Sequence, residues 1–85
     1  MSEATRRLAG EMMQALETAA AETANADVSL VSITLDVTGD IGTAPVTYDI
    51  AVDRKTRTLV FLNARAFDGD TPVMTGTAVF AIKAG

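Results

Sequence analysis

Glu17 is the residue whose surroundings in the sequence best suit chemistry. On a helical wheel of ~100° per residue, it lies at the border of an apolar arc, away from Glu11 and Glu22. Its neighbours on the wheel are small or apolar: Gly10, Met13, Ala20 and Ala21. Such surroundings partly desolvate a carboxylate and make it a stronger base. Alternatively, Glu17 is a boundary carboxylate, solvated or paired with Arg65 or with a partner chain.

Two residue types that are missing from the sequence exclude whole classes of catalysis. Without cysteine the chain has no disulfide, no thiolate metal site and no cysteine nucleophile. Without histidine it has no Ser-His-Asp triad and no imidazole base or imidazole-bound zinc. What remains is carboxylate chemistry, backbone chemistry or plain binding, with no metal and no cofactor expected.

The basic residues form one cluster and one isolated position. Arg54, Lys55 and Arg57 cluster in a predicted turn, where they either bind an anion or keep the turn of an acidic chain soluble. Arg65 stands alone in a predicted strand, where an arginine needs a carboxylate partner or solvent. Seven basic against eleven acidic residues give a formal net charge of −4, which argues against nucleic acid as a partner.

The length of 85 residues, 48% of them hydrophobic, predicts one globular domain over residues 1–85. A chain of this size buries only about 60–65% of the surface that it exposes when unfolded, so a homo-oligomer, dimer or tetramer, is expected. No signal peptide and no apolar run of about 20 residues is present, which predicts a cytoplasmic protein without a membrane partner.

Residues 3–24 have the spacing of an amphipathic helix, with Ser2 as its N-cap. The apolar side spans about 160° of the wheel and is rich in alanine, which lets a covering element approach closely. Its members are Leu8, Ala9, Met12, Met13, Ala15, Leu16, Ala19 and Ala20.

Four strands are predicted after the helix. The first alternates with Val31, Ile33, Leu35 and Val37 on one face, and the second covers residues 46–53. The third, residues 58–67, is apolar on both faces at its start, which predicts a central position or an interface. The fourth, residues 73–82, follows an Asp-Gly-Asp turn and places Met74, Gly76, Ala78, Phe80 and Ile82 on one face.

These elements predict an α+β fold in which a single helix packs across a curled antiparallel four-stranded sheet. The strands are expected to follow one another as a meander. A sheet must cover its apolar face, and only one helix is available to do so.

With this helix and these strands, the sequence resembles the hotdog-fold acyl-CoA thioesterases of the PaaI-like kind. The resemblance runs from about Gly10 to Lys83. It is carried by residues 10–20 (GEMMQALETAA), 54–57 (RKTR), 58–61 (TLVF) and 74–80 (MTGTAVF).

The resemblance implies hydrolysis of an acyl-CoA or related thioester at a dimer interface. Glu17 would be the general base, and the amide of Gly10 or Glu11 would face the oxyanion. Arg54, Lys55 and Arg57, together with Arg65, would then contact coenzyme A, the cluster through its phosphates.

Two departures from the family favour a non-catalytic alternative. Residues 8–10 (LAG) stand where the family has a His-Gly-Gly motif, and little room is left for a strand before the helix. This truncated hotdog would be a structural dimer or an acyl-ligand-binding module. A helix that runs through Gly10 would also remove the loop that supplies a backbone donor.

Overall fold

One helix and four strands make up the computed structural model, which describes residues 2–42 and 45–83. The α+β prediction is confirmed, because the helix packs against a four-stranded antiparallel sheet. In chain order the elements are α1 (Glu3–Ala24), β1 (Val28–Val37), β2 (Val46–Lys55), β3 (Leu59–Asp68) and β4 (Thr71–Ile82).

Both ends of α1 are fixed by local hydrogen bonds. The Ser2 Oγ accepts a hydrogen bond from the amide of Thr5 at 3.1 Å, as the predicted N-cap should. The helix ends at Ala24. Its C-cap is Asn25, whose amide donates to the carbonyls of Ala21 and Glu22 and whose φ of 52° is left-handed, a conformation that asparagine tolerates. The prediction of a helix over residues 3–24 is confirmed, and the helix runs through Gly10 without a break.

The strand order β1-β4-β3-β2 corrects the predicted meander. Strands β2, β3 and β4 do follow one another, and β3 is central as predicted, but β1 pairs with β4 instead of β2. Hairpins are closed by loops of two to about five residues. The stretch between β1 and β2 is longer and reaches the opposite edge of the sheet.

Described contacts trace this connection across the end of the sheet. The Thr38 amide donates to the Val73 carbonyl at 3.0 Å, and the Gly42 amide donates to the carboxylate of Asp68. Between them, a Cβ on Gly39 would stand 3.0 Å from the Pro72 carbonyl oxygen, so a glycine suits this close approach.

The core lies between α1 and one face of the sheet. Each layer contributes residues that are at most 3% exposed. They are Leu8, Met12, Leu16 and Ala20 from α1, and Val60, Leu62, Ala64, Ala66, Val73, Met74, Ala78 and Phe80 from the sheet. Within residues 2–42 and 45–83, no helix has the length and apolar character that a bilayer crossing requires.

A β-bulge in β1 overturns one part of the predicted strand pattern. The register with β4 shifts between Leu30 and Ser32, so Val31 is the extra residue and is 59% exposed. Ile33 and Leu35 do pack against the core, but Val31 does not share their face because the bulge breaks the alternation.

A polar contact joins α1 to β2. The Tyr48 hydroxyl donates a hydrogen bond to Glu11 Oε2 at 3.1 Å. Burial, reinforced by the hydrogen bond to Glu11 and by its negative charge, raises the pKa of Tyr48 to about 12.

This pKa predicts a loss of stability at high pH. The folded chain holds the phenol proton more tightly than the unfolded chain, whose tyrosine has the ordinary pKa of 10.0. The free energy of unfolding that this difference contributes is complete below pH 10 and disappears as the pH rises to about 12. The chain has one tyrosine and no tryptophan, so tyrosinate absorbance reports Tyr48 alone.

The pH midpoint of the tyrosinate absorbance change measures the pKa of Tyr48. We expect Glu11→Gln to lower this midpoint towards 10.0, while burial keeps it above that value. Glu22→Gln, which removes a charge elsewhere on α1, should leave it unchanged. A wild-type midpoint near the ordinary value would contradict the assigned contact.

Gly76 generates a second stability prediction. A Cβ at this position would stand 2.8 Å from Leu35 Cδ2 and 2.9 Å from Met12 Sδ, inside the core. We therefore expect Gly76→Ala to lower the free energy of unfolding, measured in urea, by about 1–3 kcal/mol. The control is Gly10→Ala, which meets nothing within 4 Å and should raise stability by about 0.5–1 kcal/mol. Equal effects of the two variants would contradict the packing described here.

Candidate active site

Glu17 lines a crevice between α1 and the edge strand β1. The crevice has a volume of about 280 Å³. Its lining residues are Met13, Gln14 and Glu17 from α1, Leu30 from β1 and Phe80 from β4, and we refer to it as the Glu17 crevice. One carboxylate and one amide side chain thus stand beside three large apolar side chains.

Local geometry explains why these residues meet. Met13 and Glu17 are four positions apart on α1 and therefore lie on the same flank of the helix. Leu30 and Phe80 are opposite one another in the β1–β4 register, on the sheet face that packs against α1. The helix thus places the Glu17 side chain beside Leu30 of β1 and Phe80 of β4.

The edge of the crevice carries exposed apolar surface. Met13 is 37% exposed and Leu30 is 41% exposed, and the bulged Val31 follows Leu30 directly. Across residues 2–42 and 45–83, Glu17 has no ion-pair partner, so the alternative of a salt bridge to Arg65 is not formed within the chain. The Glu17 side chain is exposed, so the partial desolvation expected from its neighbours on the helical wheel is not found, and its oxygens can accept hydrogen bonds from solvent or ligand.

Gly10 lies on the same helix flank as Glu17, two turns earlier. Because α1 begins at Glu3, the amides of Gly10 and Glu11 both belong to the i to i−4 hydrogen-bond series, and neither is the free donor expected at a helix start. The start of α1 is about 21 Å from Glu17 at 1.5 Å per residue. The expected backbone donor beside Glu17 is therefore absent, although the space next to Gly10 is open.

The basic cluster lies at the other edge of the sheet. In the strand register Leu30, Phe80, Val60 and Lys55 form one row on the helix-facing side. Three strand spacings, about 14 Å, separate the ends of that row. Arg54 and Lys55 are the last two residues of β2 instead of turn residues as predicted, and they point to opposite faces of the sheet, opposite Phe61 and Val60 respectively. Arg57 follows in the turn. All three, here called the basic cluster, are exposed, and the structure does not bring them to the Glu17 crevice.

Arg65 is separated from the crevice by the sheet itself. It alternates with Ala64 and Ala66, which are buried against α1, so its side chain lies on the opposite face. Arg65 is exposed there. The four predicted substrate-binding residues consequently do not form one site with Glu17 in a single chain.

The sequence did not identify Gln14, Leu30 or Phe80 as site residues. Phe80 was predicted on the apolar face of its strand, and Leu30 lies just before the predicted start of the first strand at Val31. The missing information was the β1–β4 register, because pairing of distant strands leaves no local signal. Gln14 could have been noted from its position three residues before Glu17 on the wheel.

A comparison with solved structures supports the fold. A crystal structure of a protein from Chromobacterium violaceum matches with a TM-score of 0.62 and 15% sequence identity. The match covers 67% of this chain and 43% of that one, so the present chain spans less than half of its length. At this identity the likeness concerns the fold alone. No curated protein sequence matches the chain.

A comparison with family models adds the assignment that the fold alone could not give. The model described as acyl-CoA thioesterase N-terminal domain matches residues 8–81, which include α1 from Leu8 and nearly all of the sheet. The resemblance seen in the sequence is confirmed. With its helix on a four-stranded antiparallel sheet, this chain belongs to the hotdog-type acyl-CoA thioesterase N-terminal domain family.

Proposed function

We propose that this protein hydrolyses an acyl-CoA or a related thioester, with the carboxylate of Glu17 as general base. The observation that carries the proposal is the placement of Glu17 in a chain of this family. It lies beside an apolar crevice and has no ion-pair partner within residues 2–42 and 45–83. An acyl group suits the apolar walls, and the carboxylate suits the activation of water.

The proposed reaction uses the Glu17 carboxylate and the apolar crevice beside it. Glu17 takes a proton from a water molecule, whose oxygen attacks the thioester carbonyl carbon. The tetrahedral intermediate collapses, the carbon–sulfur bond breaks, and the leaving thiolate receives the proton. The products are the carboxylic acid and free coenzyme A. The side-chain amide of Gln14, which lines the same crevice, can donate a hydrogen bond to the developing oxyanion.

Gly10 serves this proposal through the space that it leaves. Apart from the neighbouring residues and backbone of α1 itself, nothing lies within 4 Å of the position that a Cβ would occupy, so this flank of α1 is open to close approach. Substrate or a second subunit can reach the helix backbone at this point.

A dimer completes the proposed site. The crevice opens beside an unpaired strand edge with exposed Leu30 and Val31, and apolar surface of this kind is typical of interaction sites. The basic cluster of the same chain lies at the opposite edge of the sheet, formed by β2. For Arg54, Lys55 and Arg57 of a second subunit to bind the phosphates of coenzyme A, the β2 edge of that subunit has to approach the crevice.

A non-catalytic role as an acyl-binding or structural dimer is the second candidate. It is favoured by the continuous helix through Gly10, which places no free backbone amide near Glu17. Such a protein would bind acyl-CoA in the Glu17 crevice without releasing the thiol.

Substitution of Glu17 tests the enzyme directly. We expect Glu17→Gln to lower kcat/KM for acyl-CoA hydrolysis at least about 100-fold, because general-base catalysis contributes about 10²–10⁴. Thiol release from a panel of acyl-CoAs of different chain length is the measurement. The protein contains no cysteine, so every thiol detected is product.

The matched control is Glu22→Gln, which removes a carboxylate from the same helix but outside the crevice and should retain activity. Equal activity of the Glu17 and Glu22 variants would contradict the role of Glu17. Acyl-CoA binding by the wild type without thiol release from any substrate would establish the second candidate instead.

The proposed role of the basic cluster has its own test. We expect replacement of Arg54, Lys55 and Arg57 by alanine to raise KM for acyl-CoA about tenfold or more with kcat little changed, because charge-assisted contacts to phosphate are lost. An acyl-pantetheine substrate, which lacks the nucleotide phosphates, should be hydrolysed equally by both proteins. Arg7→Ala on α1 is the control for loss of an exposed positive charge. An unchanged KM for acyl-CoA would show that these three residues do not bind coenzyme A.

A further inference from the structure

The Glu17 crevice is small, and its size limits what can fill it. Its volume is about 280 Å³. A closed apolar cavity of about 150 Å³ holds one benzene ring, which corresponds to about 25 Å³ per carbon atom. By that measure the crevice holds about eleven atoms other than hydrogen. The reacting group of a thioester and its attacking water take about four of these places, which leaves room for an acyl group of about eight carbons, counting the carbonyl carbon.

The inner end of the crevice is closed by the core. Phe80 forms this end, and its side chain is only 1% exposed. In the strand register Phe80 lies beside Val60 of β3, which is fully buried. A chain that is too long for the crevice therefore cannot continue past Phe80 towards the middle of the sheet unless it displaces close-packed side chains.

Along α1 the crevice extends from Glu17 in one direction. The helix residues that line it are Met13, Gln14 and Glu17, and Glu17 is the last of them in the chain. An acyl group whose carbonyl carbon lies at Glu17 therefore runs towards Met13, which is one helical turn earlier.

Met13 separates the crevice from open space further along the helix. Its side chain is 37% exposed, so it stands at the rim and not in the core. Gly10 follows on the same flank, and apart from α1 itself nothing lies within 4 Å of the position that a Gly10 Cβ would occupy. Removal of the Met13 side chain would therefore join the crevice to this open flank.

We propose that the Glu17 crevice selects acyl groups of up to about eight carbons and that Met13 sets this limit. The inference rests on the proposed function in one respect, that the crevice is the acyl site. Each methylene group that enters the crevice leaves water and strengthens binding about fourfold. The gain stops when the crevice is full, because further methylene groups reach beyond Met13 and stay in water. Affinity plotted against chain length then has a break at about eight carbons.

The test is the dissociation constant of S-alkyl-CoA thioethers, which have no carbonyl to hydrolyse. A series from butyl to tetradecyl is titrated into the full chain by calorimetry. For the wild type we expect the dissociation constant to fall about fourfold per methylene group up to about octyl and then to stay level.

Three variants locate the limit. Met13→Ala removes the side-chain atoms beyond Cβ and should move the break about three carbons towards longer chains. Leu30→Phe, which makes a wall residue larger, should move it towards shorter chains. The matched control is Val37→Ala, because Val37 is an exposed apolar residue of β1 outside the crevice, and the break should stay in place.

The inference is overturned if no thioether binds, if affinity does not rise with chain length, or if it keeps rising through tetradecyl. It is also overturned if the break stays in place in Met13→Ala or moves equally in Val37→Ala. Failure of the proposed function gives a different result. Thioether binding with the expected break, but without thiol release from the corresponding thioesters, would remove Glu17 as general base and keep the crevice as an acyl site. Hydrolysis of thioesters of every length at similar kcat/KM would keep the enzyme and overturn the limit.

Discussion

The close approach of one helix to one sheet is the constraint on which the structure depends. Met12 of α1 lies over Gly76 of β4, with no room for even a methyl group between helix, glycine and Leu35. Small residues on both layers, such as Ala20 on α1 and Ala64 on β3, extend this contact. Since no second helix is present in the described residues, this packing fixes where every other side chain of α1 can lie.

The position of α1 divides the chemistry of the molecule into separate regions. One flank of the helix presents Glu17 to β1, while the other flank presents Glu11 to Tyr48 of β2. Arg54, Lys55 and Arg57 lie at the β2 edge of the sheet, and Arg65 lies on the sheet face opposite the helix. A single chain therefore keeps the acid beside the apolar crevice apart from these basic residues.

The features that sequence could predict are those with local causes. The Ser2 cap, the helical period over residues 3–24 and the two-sided apolar character of β3 each arise from neighbouring residues, and the structure agrees with all of them. The partner of β1, the bulge at Val31 and the meeting of Leu30 with Phe80 depend on pairing between distant segments. Alternation alone does not specify which strand pairs with which, so the crevice was only partly predictable.

The pairing of β1 with β4 also sets an order of assembly. Val28 pairs with Ile82, so the strand next to the helix closes the sheet against the strand nearest the other end of the chain. Contacts between such distant segments form slowly compared with hairpins such as β2–β3 and β3–β4. During synthesis, β1 cannot pair with β4 until β4 has emerged. We therefore expect the meeting of Leu30 with Phe80 in the Glu17 crevice to follow the formation of the β2–β3 and β3–β4 hairpins.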